Sequence, residues 1–472
     1  MENIPFNPLF AIAVLVADIA AISVLVWRGQ GVERTLAWLF AIIAFPGMGA
    51  AAFFLFANPS VKRANRKRRR TAQFISHSCA LIREPCGAQE SHALFTLAEK
   101  ATHFPVSSGN GVELLAESHR AFERIEEALL GARDFIWAEY YVIRRDETGR
   151  RFLEILAERA RQGVSVRLLY DALGSMGIDG KIIEAVRKNG GRAEAFHPLN
   201  PLKRRWSVHL RNHRKLVVAD GRIAFTGGMN VGDEYSGRSR RRGGLYFHDT
   251  HTLVEGPAVF DLAEVFAQDW AFATGETLAL AFPVQKNTVS RMDLAILPSG
   301  PDQERNASSL AYFGLLGQAR KSVFLTSPYF IPDEPMLYAI ECAAMRGVDV
   351  RLLVPARGDV ALVAKAARSY YPAVLRSGAR VYEYLPSMLH AKTVVMDGMW
   401  CIVGSANLDI RSFKLNFELG ILVRDSSFGR LMEERFFSDL RKSRELKAGD
   451  MESEGRWNKM TQRIARLVSP ML

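Results

Sequence analysis

Two stretches of this 472-residue sequence place a lysine two positions after a histidine and an aspartate five positions after the lysine: His213-Arg-Lys215-Leu-Val-Val-Ala-Asp220 and His390-Ala-Lys392-Thr-Val-Val-Met-Asp397. Each is followed, at the same distance, by a Gly-x-x-Asn: Gly227-Gly-Met-Asn230 and Gly404-Ser-Ala-Asn407. With Lys and Asp each at roughly one residue in twenty, a chain with this many histidines would give about 0.03 such motifs by chance. An imidazole beside an ammonium suits a phosphate anion. Histidine serves as nucleophile or as acid and base near neutral pH. Lysine and asparagine donate to non-bridging oxygens as charge redistributes. A histidine alone is more often structural; the repetition is what argues for a site.

Each motif opens a β-branched run, so histidine and lysine, two apart on a strand, project from one face. The motifs sit within an internal duplication. Residues 132–143 parallel 319–331, and Gly163-Val-Ser-Val-Arg-Leu-Leu169 parallels Gly347-Val-Asp-Val-Arg-Leu-Leu353. Helical patterns such as Phe152, Ile155, Leu156 and Ala160 precede the second pair. Strands alternating with helices predict an α/β body with helix-covered sheets in two similar lobes, 73–290 and 291–472. Cysteines 79, 86, 342 and 401 are scattered, which predicts neither a zinc site nor a disulfide framework.

Ahead of the lobes, residues 1–72 read as a membrane anchor. Pro8 to Trp27 is apolar apart from Asp18, and Thr35 to Ala57 carries no charge; each is long enough to cross hydrocarbon as a helix. Pro46 and Gly47 interrupt the second stretch. Asp18 is either functional or a carboxyl hydrogen-bonded between the two helices. Lys62, Arg63, Arg66, Lys67, Arg68, Arg69 and Arg70 follow directly, which places the body on the cytoplasmic side and offers charge to anionic headgroups. The formal net charge of +12 suits an anionic partner, nucleic acid or lipid surface.

The paired motifs resemble the signatures of the phospholipase D superfamily. That resemblance implies two lobes facing across a pseudo-twofold axis, one site with two histidines, a phosphohistidine intermediate, and neither metal nor cofactor. His213 resembles the nucleophile and His390 the acid that protonates the leaving alcohol; the sequence leaves the reverse assignment open. Family members hold each histidine with a carboxylate beyond the asparagine. Asn416-Phe-Glu418-Leu resembles that element for His390, and Phe247-His-Asp249-Thr is its counterpart for His213. Both could also be ordinary strand-edge charges. Asp220 and Asp397 resemble positions with a more structural role. Histidines 77, 92, 103, 119, 197, 209, 248 and 251 match no such constellation.

Within the superfamily the similarity to bacterial cardiolipin synthases spans nearly the whole chain, through Asn110-Gly-Val-Glu-Leu-Leu115, His248-Asp-Thr-His251, Ser327-Pro-Tyr-Phe-Ile-Pro-Asp333 and Gly404-Ser-Ala-Asn-Leu-Asp-Ile-Arg-Ser412. It implies transfer of a phosphatidyl group from one phosphatidylglycerol to another with release of glycerol, in the bacterial cytoplasmic membrane; phosphatidylethanolamine stays open as donor. A hydrolase and a nuclease of the same superfamily are the competing enzymes, and an inactive membrane scaffold the non-enzymatic reading. A neighbouring membrane anchor favours a lipid over nucleic acid. The basic loops Leu202-Lys-Arg-Arg-Trp206 and Gly237-Arg-Ser-Arg-Arg-Arg-Gly-Gly244 lie near the motifs. At the C-terminus Trp457, Met460, Ile464 and Leu467 share a helical face, apart from Lys459, Arg463 and Arg466. That face either meets a membrane or packs on the protein.

Overall fold

The computed structural model describes residues 8–28, 32–56, 59–82, 92–198, 210–238, 246–283 and 291–467. Loop 202–206, residues 239–244 of the second basic loop, and the side chains of residues 62, 63, 66 and 67 lie outside this description. The chain folds as two compact units, Met1–Lys67 and Arg68–Leu472. The first division thus falls five residues before the expected 72/73, and no division separates the repeats at 290/291.

In the amino-terminal unit, α1 (Pro8–Arg28) covers the stretch expected to be the first span. The second is broken into α2 (Val32–Ala44) and α3 (Met48–Phe56). Pro46 lacks an N–H and Gly47 takes φ +76°, which a helix interior does not accommodate. The freed Gly47 N–H donates to both carboxylate oxygens of Asp18, at 3.0 and 3.2 Å. Asp18 therefore joins the helices, the bland alternative of the sequence reading. Among the described residues no helix is long and apolar enough to cross a membrane. α4 (Pro59–Ile82) then runs across the boundary into the second unit.

The larger unit is α/β, built on a sixteen-stranded mixed sheet. In the first repeat Phe135–Tyr140 lies parallel to Ser165–Tyr170 and antiparallel to Lys215–Ala219. In the second, Ser322–Thr326 lies parallel to Asp349–Pro355 and antiparallel to Thr393–Met396. The strand Ser107–Leu115 joins the halves: its start pairs with Met292–Ser299 of the second repeat and its remainder with His251–Glu255 of the first. One sheet through both repeats is the physical reason they form a single unit. The helix Ala258–Thr274 is buried at every residue from Ala258 to Phe272. Helices buried all round belong to a shared core, and this one carries Asp269 into it.

Candidate active site

The backbone decides which side chains meet. The short strand before His213, Arg211–Asn212, pairs in parallel with Asn416–Phe417 of the other repeat. Likewise Met388–Leu389, before His390, pairs with Phe247–His248. The His213 N–H donates to Phe417 O and the His390 N–H to His248 O, both at 2.8 Å. Each motif is thus laid against the carboxylate strand of the opposite repeat. His213 Nδ1 lies 2.8 Å from Glu418 Oε2 and 3.1 Å from Ser405 O. His390 Nδ1 lies 2.5 Å from Asp249 Oδ2. This corrects the expected partners: Glu418 holds His213 and Asp249 holds His390. The sequence comparison aligned each carboxylate with the histidine of its own repeat, whereas the strand pairing exchanges them.

With Nδ1 turned to a carboxylate, each ring keeps Nε2 for chemistry, and the carboxylate fixes the tautomer. Burial opposes the charge on Glu418, but His213, Lys215 and the Ser405 hydroxyl outweigh it and hold its carboxyl below the ordinary range. Asp249 is likewise buried, yet Lys392 and His390 bring it down to about 2. Burial pushes the His213 imidazole down against the pull of Glu418. Burial and then Lys392 push His390 down against Asp249. Both rings are therefore biased toward the neutral form, the form a nucleophile or base requires.

The lysines crowd the same space. Lys215 Nζ donates to His213 O at 2.6 Å. Lys392 Nζ lies 2.7 Å from His390 Nδ1 and 3.7 Å from Asp249 Oδ2. Burial, with repulsion from Lys392, lowers Lys215 to about 7. Burial lowers Lys392 to about 8. The repulsion between the two ammonium groups is a cost that a bound anion relieves. The arrangement thus favours a phosphoryl group over a neutral ligand.

The remaining sequence-predicted residues divide. Asn230 accepts the Val142 N–H at 3.1 Å and donates to the Tyr235 hydroxyl at 3.0 Å; Tyr235 stands edge-on to the His390 ring, 5.5 Å between centroids. Asn407 is buried, and its N–H donates to Ser412 Oγ at 3.1 Å. Asp220 and Asp397 sit at the far ends of the strands that begin beside the histidines, both at positive φ. Asp220 accepts the N–H groups of Arg133, Asp134 and Phe135, and Asp397 those of Arg320, Lys321 and Ser322, at 2.8–3.0 Å. They fasten each motif strand to its neighbour and stand outside the histidine cluster, as the structural role implied.

Several residues escaped the sequence reading. Ser405 Oγ donates to Glu418 Oε2 at 2.5 Å and accepts the Leu419 N–H at 3.0 Å. Its first-repeat counterpart is Gly228, where a Cβ would stand 2.1 Å from Asp249 Oδ1. The shorter carboxylate needs the room that glycine leaves. Tyr141 packs edge-on to His213 at 4.9 Å, and Phe247 stacks on His390 at 5.1 Å. His251, read as bland, is buried among Asp249 and Lys215, and burial lowers it to about 4. Arg68, read with the exposed basic run, is buried: it donates to Asp269 and Asp302 and lies 4.3 Å above the Phe417 ring. Asp269 also accepts from Arg214, whose Nε donates to Glu418 O at 3.0 Å.

Among solved structures, phosphatidylserine synthase of Haemophilus influenzae superposes with a TM-score of 0.61 over 81% of this chain and all of that one, at 14% identity, a likeness of fold. The cardiolipin synthases of Alkalihalophilus pseudofirmus and Geobacillus kaustophilus are each 35% identical over 450 and 451 residues, 93% of this chain and 89% of theirs. That of Clostridium perfringens is 32% identical over 452 residues, 93% of this chain and 94% of its own. The family profile described as "Cardiolipin synthase, PLD-like domain" matches residues 125–270 and 312–440, one stretch around each histidine motif. Two matched repeats, joined by one sheet and lending each other the carboxylate behind each histidine, make this chain a member of the cardiolipin synthase family of PLD-like proteins.

Proposed function

We infer that the chain is a phosphatidyltransferase that makes cardiolipin from two molecules of phosphatidylglycerol. The observation that carries this is the pair of histidines, each tied at Nδ1 to a buried carboxylate of the other repeat and each with a lysine of lowered basicity beside it. His213 Nε2 attacks phosphorus as the bond to the glycerol headgroup breaks. His390, which must first take up a proton at Nε2 because burial favours its neutral form, gives that proton to the departing oxygen. The free hydroxyl of a second phosphatidylglycerol then passes its proton to His390 and displaces the His213 nitrogen. Lys215 and Lys392 hold the non-bridging oxygens throughout. The order of the two histidines follows the family resemblance.

The substrate supports a membrane location for the enzyme. The amino-terminal unit exposes Leu9, Ile12, Leu15, Val16, Ile19 and Val26 of α1 and Phe40 and Ile43 of α2, a surface suited to lipid. We propose that this unit seats the enzyme in the cytoplasmic membrane with the catalytic unit on the cytoplasmic side, where anionic lipids meet it. A reporter after Leu472 should read as cytoplasmic.

The deciding experiment is lipid mass spectrometry in a host lacking its own cardiolipin synthase, with isotopically labelled glycerol supplied. The expected products are cardiolipin and labelled phosphatidylglycerol, because a site that expels glycerol also readmits it. Phosphatidic acid as the dominant product, without exchange, identifies a hydrolase instead. Alanine at His213 or His390 should abolish both products.

A further inference from the structure

The last described helix, Arg456–Leu467, is attached to the catalytic unit by one side only. Gln462 and Ala465 are buried, and Gln462 donates to Glu454 at 2.5 Å. The Arg466 guanidinium lies 4.3 Å over the Tyr370 ring. The opposite side carries Trp457 and Leu467, 73% and 80% exposed, with Met460 and Ile464 exposed between them. At 3.6 residues per turn these four form one stripe, and Arg456, Lys459 and Arg463 line one flank of it. The helix holds four basic residues and no acidic one. Of the nearby carboxylates, Glu454 is engaged by Arg368 at 2.7 Å. Lys459 donates to the backbone carbonyl of Glu452 at 2.6 Å, which leaves its charge uncompensated.

Four large apolar side chains on one exposed stripe are not needed to hold the helix, since its buried side does that. An aromatic and aliphatic stripe with a cationic flank matches the boundary between acyl chains and anionic headgroups. A protein partner for the stripe would be expected to carry acidic residues for the same flank; an anionic bilayer supplies both requirements at once. It is also the surface on which the proposed substrate resides.

We propose that the helix Arg456–Leu467 is an interfacial membrane contact of the second repeat. It lies in the plane of an anionic lipid surface with Trp457, Met460, Ile464 and Leu467 among the acyl chains and Arg456, Lys459 and Arg463 at the headgroups. This deepens the lipid-transfer reading and rests on it for its purpose. The contact itself is measured without turnover.

The test uses the full chain with the exposed thiol removed (Cys342→Ser) and Cys86→Ser, reconstituted in phosphatidylglycerol vesicles. A nitroxide is placed at Met460→Cys or Ile464→Cys, with Glu127→Cys on an exposed helix of the first repeat as control. The expected result is a ratio of oxygen to water-soluble nickel-chelate accessibility severalfold above the control at both stripe positions, falling when phosphatidylcholine replaces phosphatidylglycerol. A control-like ratio means the stripe faces water and overturns the proposal. Low accessibility to both quenchers means protein covers it, whether residues 468–472 or a second copy, and overturns it equally. Because accessibility is read without catalysis, absence of lipid transfer in the unlabelled protein would count against the functional reading alone.

Discussion

His213 Nδ1 and Glu418 Oε2 lie 2.8 Å apart although 205 residues separate them, and they come from opposite repeats. His390 and Asp249 repeat the exchange. Neither repeat therefore contains a carboxylate-backed motif histidine on its own; each supplies the ring of one pair and the carboxylate of the other. The two motif histidines are each fixed by a short strand pairing between the repeats, Arg211–Asn212 with Asn416–Phe417 and Met388–Leu389 with Phe247–His248.

Glu418→Gln should keep the hydrogen-bonding shape and remove the charge. Loss of a carboxylate behind a catalytic imidazole costs up to about 10⁴ in turnover, so a fall on the order of 10²–10⁴ is expected in kcat. The pH profile gives the sign. Burial already lowers His213, and Glu418 works against that. Without the carboxylate the imidazole is protonated only at still lower pH, and the acidic limb of kcat moves down. A limb left in place would show that Glu418 does not act on the nucleophile.

Gly228→Ala tests the asymmetry between the repeats. Its Cβ would stand 2.1 Å from the Asp249 carboxylate, which is buried and cannot swing into solvent. The expected loss approaches that of Asp249→Asn, with the fold retained in a melting curve. Ser405→Gly at the matching position withdraws one hydrogen bond from Glu418 and the acceptor of the Leu419 N–H, and roughly tenfold is expected from the energy of the bond to Glu418. Equal effects at both positions would remove the distinction.

The lysines predict how an anion binds as pH changes. Lys215 at about 7 and Lys392 at about 8 stand well below their ordinary 10.5. Between those values the unfolded chain holds more protons, so these groups make the protein more stable as pH rises from about 7 toward 10. Sulfate, which favours the charged amines, should bind with proton uptake. Its stabilising effect in a thermal melt is expected to be large at pH 6 and to fade through pH 7–9. A sulfate shift independent of pH would place the anion elsewhere.

The sequence carried the site further than it carried the fold. Spacing alone identified both His/Lys pairs, because two residues on one strand must share a face whatever surrounds them. The family resemblance pointed to Asp249 and Glu418, but assigned each to the wrong histidine: pairing across repeats is a property of strand register, which one repeat's sequence does not contain. Ser405 was hidden inside a motif read only for its asparagine. Arg68 was invisible for a different reason, since a basic run after an apolar segment has a sufficient explanation in topology, and nothing local marks Arg68 as turned inward. The second stretch was read as one helix interrupted at Pro46-Gly47, and there the interruption is a complete break whose freed N–H is taken by the carboxylate of Asp18.

Arg68 gives the last prediction. Its guanidinium joins two carboxylates, Asp269 and Asp302, and covers the Phe417 ring, next to Glu418. Asp269 also binds Arg214, which holds the Glu418 carbonyl, so two routes lead from Arg68 to the carboxylate behind His213. Removing a partner from a buried ion pair costs about 3–5 kcal/mol, and Arg68→Ala is expected to unfold readily for that reason alone. Arg68→Lys keeps the charge but not the planar, two-pronged contact. The charged and titratable groups around His213 are Glu418, Lys215 and Lys392, with the Tyr141 ring at its edge. Of these, Glu418 is the one held from Arg68. A positioning role therefore predicts kcat on the order of tenfold lower, the cost of one weakened charged contact, with KM unchanged and the acidic limb displaced downward as in Glu418→Gln. Phe417→Leu, which removes the ring without touching a charge, should move the limb the same way. A purely structural role predicts a loss proportional to the unfolded fraction and equal at every pH.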